Sequence, residues 1–145
     1  MFKIMIIEDD PLIAGLYEKA FKANGYDADS AFDGKEGLKK LMEAEKKPTL
    51  ILSDVMMPEM NGLELLQKIK ADPNLKGIPV VMLTNLSGDK DAETALTIGA
   101  ITYLVKSQYT PKEVVAKVKE IIGAYTRDGE VVPDTKILVK KLDKK

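Results

Sequence analysis

Residues 49–70, TLILSDVMMPEMNGLELLQKIK, run strand, loop, helix, and the same alternation of elements continues on both sides of them. Thr49–Ser53, an apolar run behind Pro48, reads as a strand with Asp54 at its end. Pro58 and Gly62 bracket the loop, and Asp72-Pro73 ends the helix predicted over Leu63–Lys70. On the N-terminal side, Met1–Ile7 is nearly continuous apolar sequence, as expected of a strand covered on both faces. Asp10 then caps a helix with Pro11 at its first position, and Asn24-Gly25 stops it. Its apolar face is read as Leu12, Ile13, Leu16, Ala20 and Phe21. A weaker strand, Tyr26–Ala31, precedes a helix that Asp33 and Glu36 open as a capping box and that runs to about Ala44.

The C-terminal side repeats the unit twice. Strand Ile78–Leu83 leads to a helix from about Gly88 to Ile98, closed by Gly99. Strand Ile101–Val105 leads to Thr110-Pro111-Lys112-Glu113, a cap and capping box that start a helix ending near Ala124. Strands and helices in strict alternation predict a parallel sheet with helices on both faces.

Composition narrows the chemistry. The 145 residues fit one domain with a core that needs no staples. Without Cys there is no disulfide framework or thiolate site, and without His no catalytic triad and no phosphohistidine on this chain. A net charge of −1 argues against a nucleic-acid surface. No apolar run approaches the roughly 20 residues of a membrane span, and no signal peptide is legible. A cytoplasmic domain working through carboxylates, hydroxyls and amines is expected.

In an open α/β sheet, ligands bind beyond the carboxyl ends of the strands. The predicted strands end there in Glu8-Asp9, Asp54, Thr84 and Lys106. Singly, each has a plain reading: a helix-dipole acid, a turn residue, a strand-end threonine, a solvated amine. Together they are complementary types on one edge. Converging carboxylates raise one another's pKa values, a conflict that a hard divalent cation such as Mg²⁺ resolves.

These segments resemble the receiver domain of two-component response regulators. KIMIIEDDP (3–11) is similar to the family's acidic opening, and LILSDVMMPEMNGLELL (50–66) to its phosphorylation segment. VVMLT (80–84) and GAITYLVK (99–106) are similar to the fourth and fifth strands with their hydroxyl and lysine. The likeness spans residues 1–124 and implies a flavodoxin-like (βα)5 sheet of order 2-1-3-4-5. It implies that Asp54 accepts a phosphoryl group from a histidine kinase or phosphotransfer protein. Glu8, Asp9, Asp54 and the Met56 backbone carbonyl would hold Mg²⁺. Thr84 would bind a phosphoryl oxygen, Lys106 would pair with its charge, and Tyr103 would move as the switch aromatic. The protein is then a signalling switch rather than an enzyme, catalysing only its own phosphorylation and slow hydrolysis. Its output is a protein-binding surface around the fourth helix, fifth strand and fifth helix, with a downstream protein target and a homodimer as one arrangement. A receiver-fold adaptor that is never phosphorylated is the main rival. An aspartyl-phosphate phosphatase would need a second Asp where Met56 stands, and a flavin module a phosphate loop after the first strand.

Several positions depart from that pattern. Ser107 replaces the usual proline after the lysine, so a trans Lys106–Ser107 bond, a rearranged turn and a lysine that still reaches the site are expected. Asn85 stands where a small residue is usual, and either narrows the pocket or is solvated. Met56 and Leu86 are apolar and cannot orient water, which predicts slow autodephosphorylation. Residues 125–145 form a tail with basic end KILVKKLDKK, read as solvated, with a docked or exchanged strand as the alternative. No output domain is expected after it.

Overall fold

A computed structural model describes residues 2–85, 89–127 and 130–131. β1 (Lys3–Ile7), β2 (Asp27–Ala31), β3 (Leu50–Asp54), β4 (Val80–Thr84) and β5 (Thr102–Val105) form one parallel sheet, ordered β2-β1-β3-β4-β5. This is the flavodoxin-like doubly wound arrangement. β3 and β4 are buried at every position, which explains their unbroken apolar runs. Successive residues serve opposite faces. Ile4 and Ile6 join Leu50, Leu52, Val81 and Leu83 on one face, while Met5 and Ile7 join Ile51, Val80 and Met82 on the other.

The connecting helices are α1 (Pro11–Ala23), α2 (Gly34–Glu43), α3 (Gly62–Ala71), α4 (Asp89–Ile98) and α5 (Pro111–Tyr125). Helices α1 and α5 cover the first face through Ala14, Tyr17, Phe21, Val114, Val118 and Ile121. Helices α2, α3 and α4 cover the second through Leu41, Leu65, Leu66, Ile69 and Ala95. The change of face falls between β1 and β3, neighbours in the sheet but not in sequence. In doubly wound sheets, ligands bind at such a switch point, beyond the carboxyl ends of the two strands.

The predicted caps are present. Asp10 Oδ1 accepts from the Leu12 N–H at 2.9 Å, Asp33 Oδ1 from the Glu36 N–H at 2.7 Å, and Thr110 and Glu113 cap reciprocally. The face of α1 differs from the sequence reading. Leu12 is 75% and Leu16 49% exposed, and the buried positions are Ala14, Tyr17 and Phe21. The i, i+3, i+7 line through Tyr17 and the line through Leu12 and Leu16 are both helical, and only packing chooses between them. Two short antiparallel strands, Thr126–Arg127 (β6) and Glu130–Val131 (β7), follow α5 without a forecast. The predicted element at 136–142 and residue Leu86 lie outside the described residues.

Candidate functional site

Glu8 follows β1 and extends its pairing, its N–H donating to the Ala31 carbonyl at 3.0 Å. That places its side chain at the switch point, 1% exposed. One oxygen accepts from the Asp10 N–H at 3.0 Å and the other from the Lys106 amine. Asp54 closes β3 and is 4% exposed, with Oδ2 accepting from Lys106 Nζ at 3.1 Å. One lysine from the end of β5 thus bridges carboxylates from the ends of β1 and β3. Asp9 is exposed, yet an oxygen from each of Glu8, Asp9 and Asp54 lies within 4.8 Å of the other two.

Burial dominates the electrostatics. It lifts Glu8 to about 7, against the hydrogen bonds from Lys106 and the Asp10 N–H. It raises Asp54 as well, opposed by the Lys106 charge. Burial alone pulls the Lys106 amine down, but the bond to Glu8 and the charge of Asp54 outweigh it and leave Lys106 above its usual value. Three carboxylates face one ammonium, so the pocket is short of positive charge even with Lys106 in place. Three converging oxygen donors under that deficit fit a hard divalent cation, which favours carboxylate oxygens.

Thr84, at the end of β4, is buried, and its hydroxyl makes a long contact of 3.5 Å to the Leu104 carbonyl. Tyr103 is half-buried against the α2–α3–α4 face. Met56 is 60% exposed and Asn85 is exposed beside Thr84. No cis peptide occurs among the described residues, and Lys106–Gln108 form one 3₁₀ turn. The expectation of a trans bond with the lysine still reaching the site is met, and the turn is where Ser107 sits.

Sequence reasoning missed three supports. Gly62 opens α3 so close to Asp54 that an added Cβ would lie 2.1 Å from the Asp54 carbonyl oxygen. Asn61 caps α3 in a full capping box with Glu64, a pattern legible as N-x-x-E. Tyr17, buried on α1, has its hydroxyl under the influence of Lys106, Glu8 and Asp54, and burial raises its pKa.

Three acids and a lysine gather at the switch point of this doubly wound domain, with Thr84 at the end of the next strand, and oxygen donors of this kind suit a hard cation. The chain belongs to the response regulator receiver domain family, whose model matches residues 4–119. It is 37% identical over 120 residues to the alkaline phosphatase synthesis transcriptional regulatory protein PhoP of Bacillus subtilis, covering 83% of this chain and 48% of that one. It is 33% identical over 122 residues to the chemotaxis protein CheY1 of Helicobacter pylori, covering 83% and 97%. Among solved structures, chemotaxis response regulator CheY4 of Vibrio cholerae superposes with a TM-score of 0.75 at 29% identity, over 84% of this chain and 98% of that one. The chain spans about half the length of the transcriptional regulators it matches. A role in two-component signalling follows from the family. Among the described residues, no helix is long and apolar enough to cross a membrane.

Proposed function

We propose that the domain is a phosphorylation-dependent switch with Asp54 as acceptor. The observation that carries this is the Lys106 amine held 3.1 Å from Asp54 and bonded to Glu8, three strand ends meeting on one charge. An Asp54 oxygen attacks the phosphorus of a phosphohistidine on a histidine kinase or phosphotransfer protein. The N–P bond breaks, its electron pair returns to the imidazole, and an acyl phosphate forms on Asp54. These 145 residues hold no His, so the donor imidazole lies outside them.

Glu8, Asp9 and Asp54, with the Met56 backbone carbonyl, are the groups that would hold Mg²⁺. Bound there, the cation neutralises charge on the transferring phosphoryl oxygens. Lys106 exchanges its carboxylate partner for a phosphoryl oxygen, and Thr84 turns its weakly held hydroxyl from the Leu104 carbonyl to another. Tyr103, half-buried beside them, follows Thr84 and changes the α4–β5–α5 surface. That surface meets a downstream protein in the cytoplasm. Residues 1–124 are the receiver and 125–145 an appended segment.

Incubation with acetyl phosphate and Mg²⁺ tests this by intact mass. The wild type gains one phosphoryl group and Asp54→Asn gains none. No gain in either favours the adaptor reading.

A further inference from the structure

β2 is an edge strand: among the described residues it pairs only with β1. The Asp27 N–H donates to the Phe2 carbonyl at 2.9 Å, and the Ala31 carbonyl accepts from the Glu8 N–H at 3.0 Å. Residues 27, 29 and 31 therefore turn their backbone groups toward β1, and those of Ala28 and Ser30 point outward. An outward row of this kind is a template for one more strand.

Three of these four outward groups already have a partner within the chain. The Ala28 N–H donates to Asp27 Oδ1 at 2.9 Å, and the Ser30 N–H donates to Asp29 Oδ1 at 2.9 Å. Lys40 reaches across from α2 and donates to the Ser30 carbonyl. Its amine also lies 3.6 Å from Asp29 Oδ2 and 3.6 Å from Glu36 Oε1, which ties the latch to both elements. Water would satisfy an exposed N–H equally well, so the effect of these side chains is to occupy the edge rather than to rescue it.

The same row selects its complement. Ala28 and Ser30 offer two donors and two acceptors, and a second β2 laid antiparallel about a two-fold axis matches them group for group. Ala28 then pairs with Ser30 of the second copy, and Ser30 with Ala28, a self-complementary arrangement that closes at two chains. Asp29 would stand directly opposite its own counterpart, where like charges are destabilising. We infer that the outer edge of β2 is a self-pairing surface, fitted to β2 of a second copy, and that Asp27, Asp29 and Lys40 hold it shut. The inference makes no use of phosphoryl transfer, so it stands or falls apart from the proposed function.

The test uses the full chain, which has no Cys of its own. Opposed residues of a closely spaced antiparallel pair have α-carbons about 4.5 Å apart, within disulfide reach. Asp27→Ala/Asp29→Cys opens both latches and puts a thiol on the two-fold axis. Under mild oxidation it should form a linked dimer faster than the exposed control Glu45→Cys by roughly tenfold or more, since pairing raises the effective concentration of the thiols. Asp29→Cys with Asp27 retained should link more slowly than the double variant. Amide exchange in the wild type covers the case of a poorly folded variant. The outward Ala28 and Ser30 amides should exchange more slowly than exposed loop amides, and equally so at every protein concentration. Asp27→Ala should speed the Ala28 amide roughly two- to tenfold, the equivalent of one ordinary hydrogen bond. A folded double variant that links no faster than Glu45→Cys overturns the inference. So does wild-type protection of these amides that is absent or that grows with protein concentration.

Discussion

The backbone carbonyl of Asp54 and the α-carbon of Gly62 are packed so closely that a Cβ on Gly62 would stand 2.1 Å from that oxygen. The start of α3 thereby clamps the end of β3, and the Gly62 N–H closes the loop on the Val55 carbonyl at 2.8 Å. Gly62→Ala must push the Asp54 backbone aside, and overpacking of this kind costs about 1–3 kcal/mol. Chemical denaturation should show that loss. Acetyl phosphate labelling of the folded fraction should slow more than in Gly77→Ala, where an added Cβ meets nothing within 4 Å.

Stability without metal should fall as pH rises. Glu8 titrates from 4.5 in the unfolded chain to about 7 in the fold, so the folded state binds the extra proton between those values. Asp54 is raised in the same sense. Stability is greatest near the unfolded value and declines as pH climbs through about 7. Thermal melts in a chelator from pH 5 to 8 check this, and Glu8→Gln should flatten the slope. Mg²⁺ should reverse it, binding more tightly as Glu8 loses its proton.

The acyl phosphate should be long-lived. Met56 stands two residues past Asp54, 60% exposed and without a group to orient a water molecule. Met56→Asn introduces an amide there and should shorten the phospho-Asp54 half-life severalfold, followed by loss of label after the donor is removed. An unchanged or longer half-life would remove this role for Met56.

Glu59 sits at φ 64° in the β3–α3 loop, a left-handed conformation that disfavours a side chain. Glu59→Gly should raise the melting temperature by the equivalent of up to about 1 kcal/mol. Glu59→Val should lower it, and the order Gly, Glu, Val in thermal melts is the check.

The parallel sheet was legible because β3 and β4 open on the apolar runs Leu50–Leu52 and Val80–Leu83, and the helix starts because Asp10, Asp33 and Thr110 cap with side chains. Glu8, Asp9, Asp54 and Lys106 were legible as a group because strand ends share one edge in such a sheet. Gly62 was read only as a loop bracket, since nothing local to residues 58–62 reveals that the Asp54 carbonyl rests on it. Tyr17 was hidden by the competing Leu12–Leu16 stripe, which tertiary packing turns outward. Thr84 was legible by type, but its contact with Leu104 in the neighbouring strand depends on the β4–β5 register.

The carboxylate that Lys106 bridges to Glu8, that of Asp54, is the proposed phosphoryl acceptor. Borohydride reduction after acetyl phosphate and Mg²⁺ treatment converts an aspartyl phosphate to homoserine, which peptide mass spectrometry locates. Homoserine at position 54, absent without Mg²⁺ and strongly reduced in Lys106→Met, is the predicted result. Homoserine at another aspartate, or none in wild-type protein under these conditions, would contradict it.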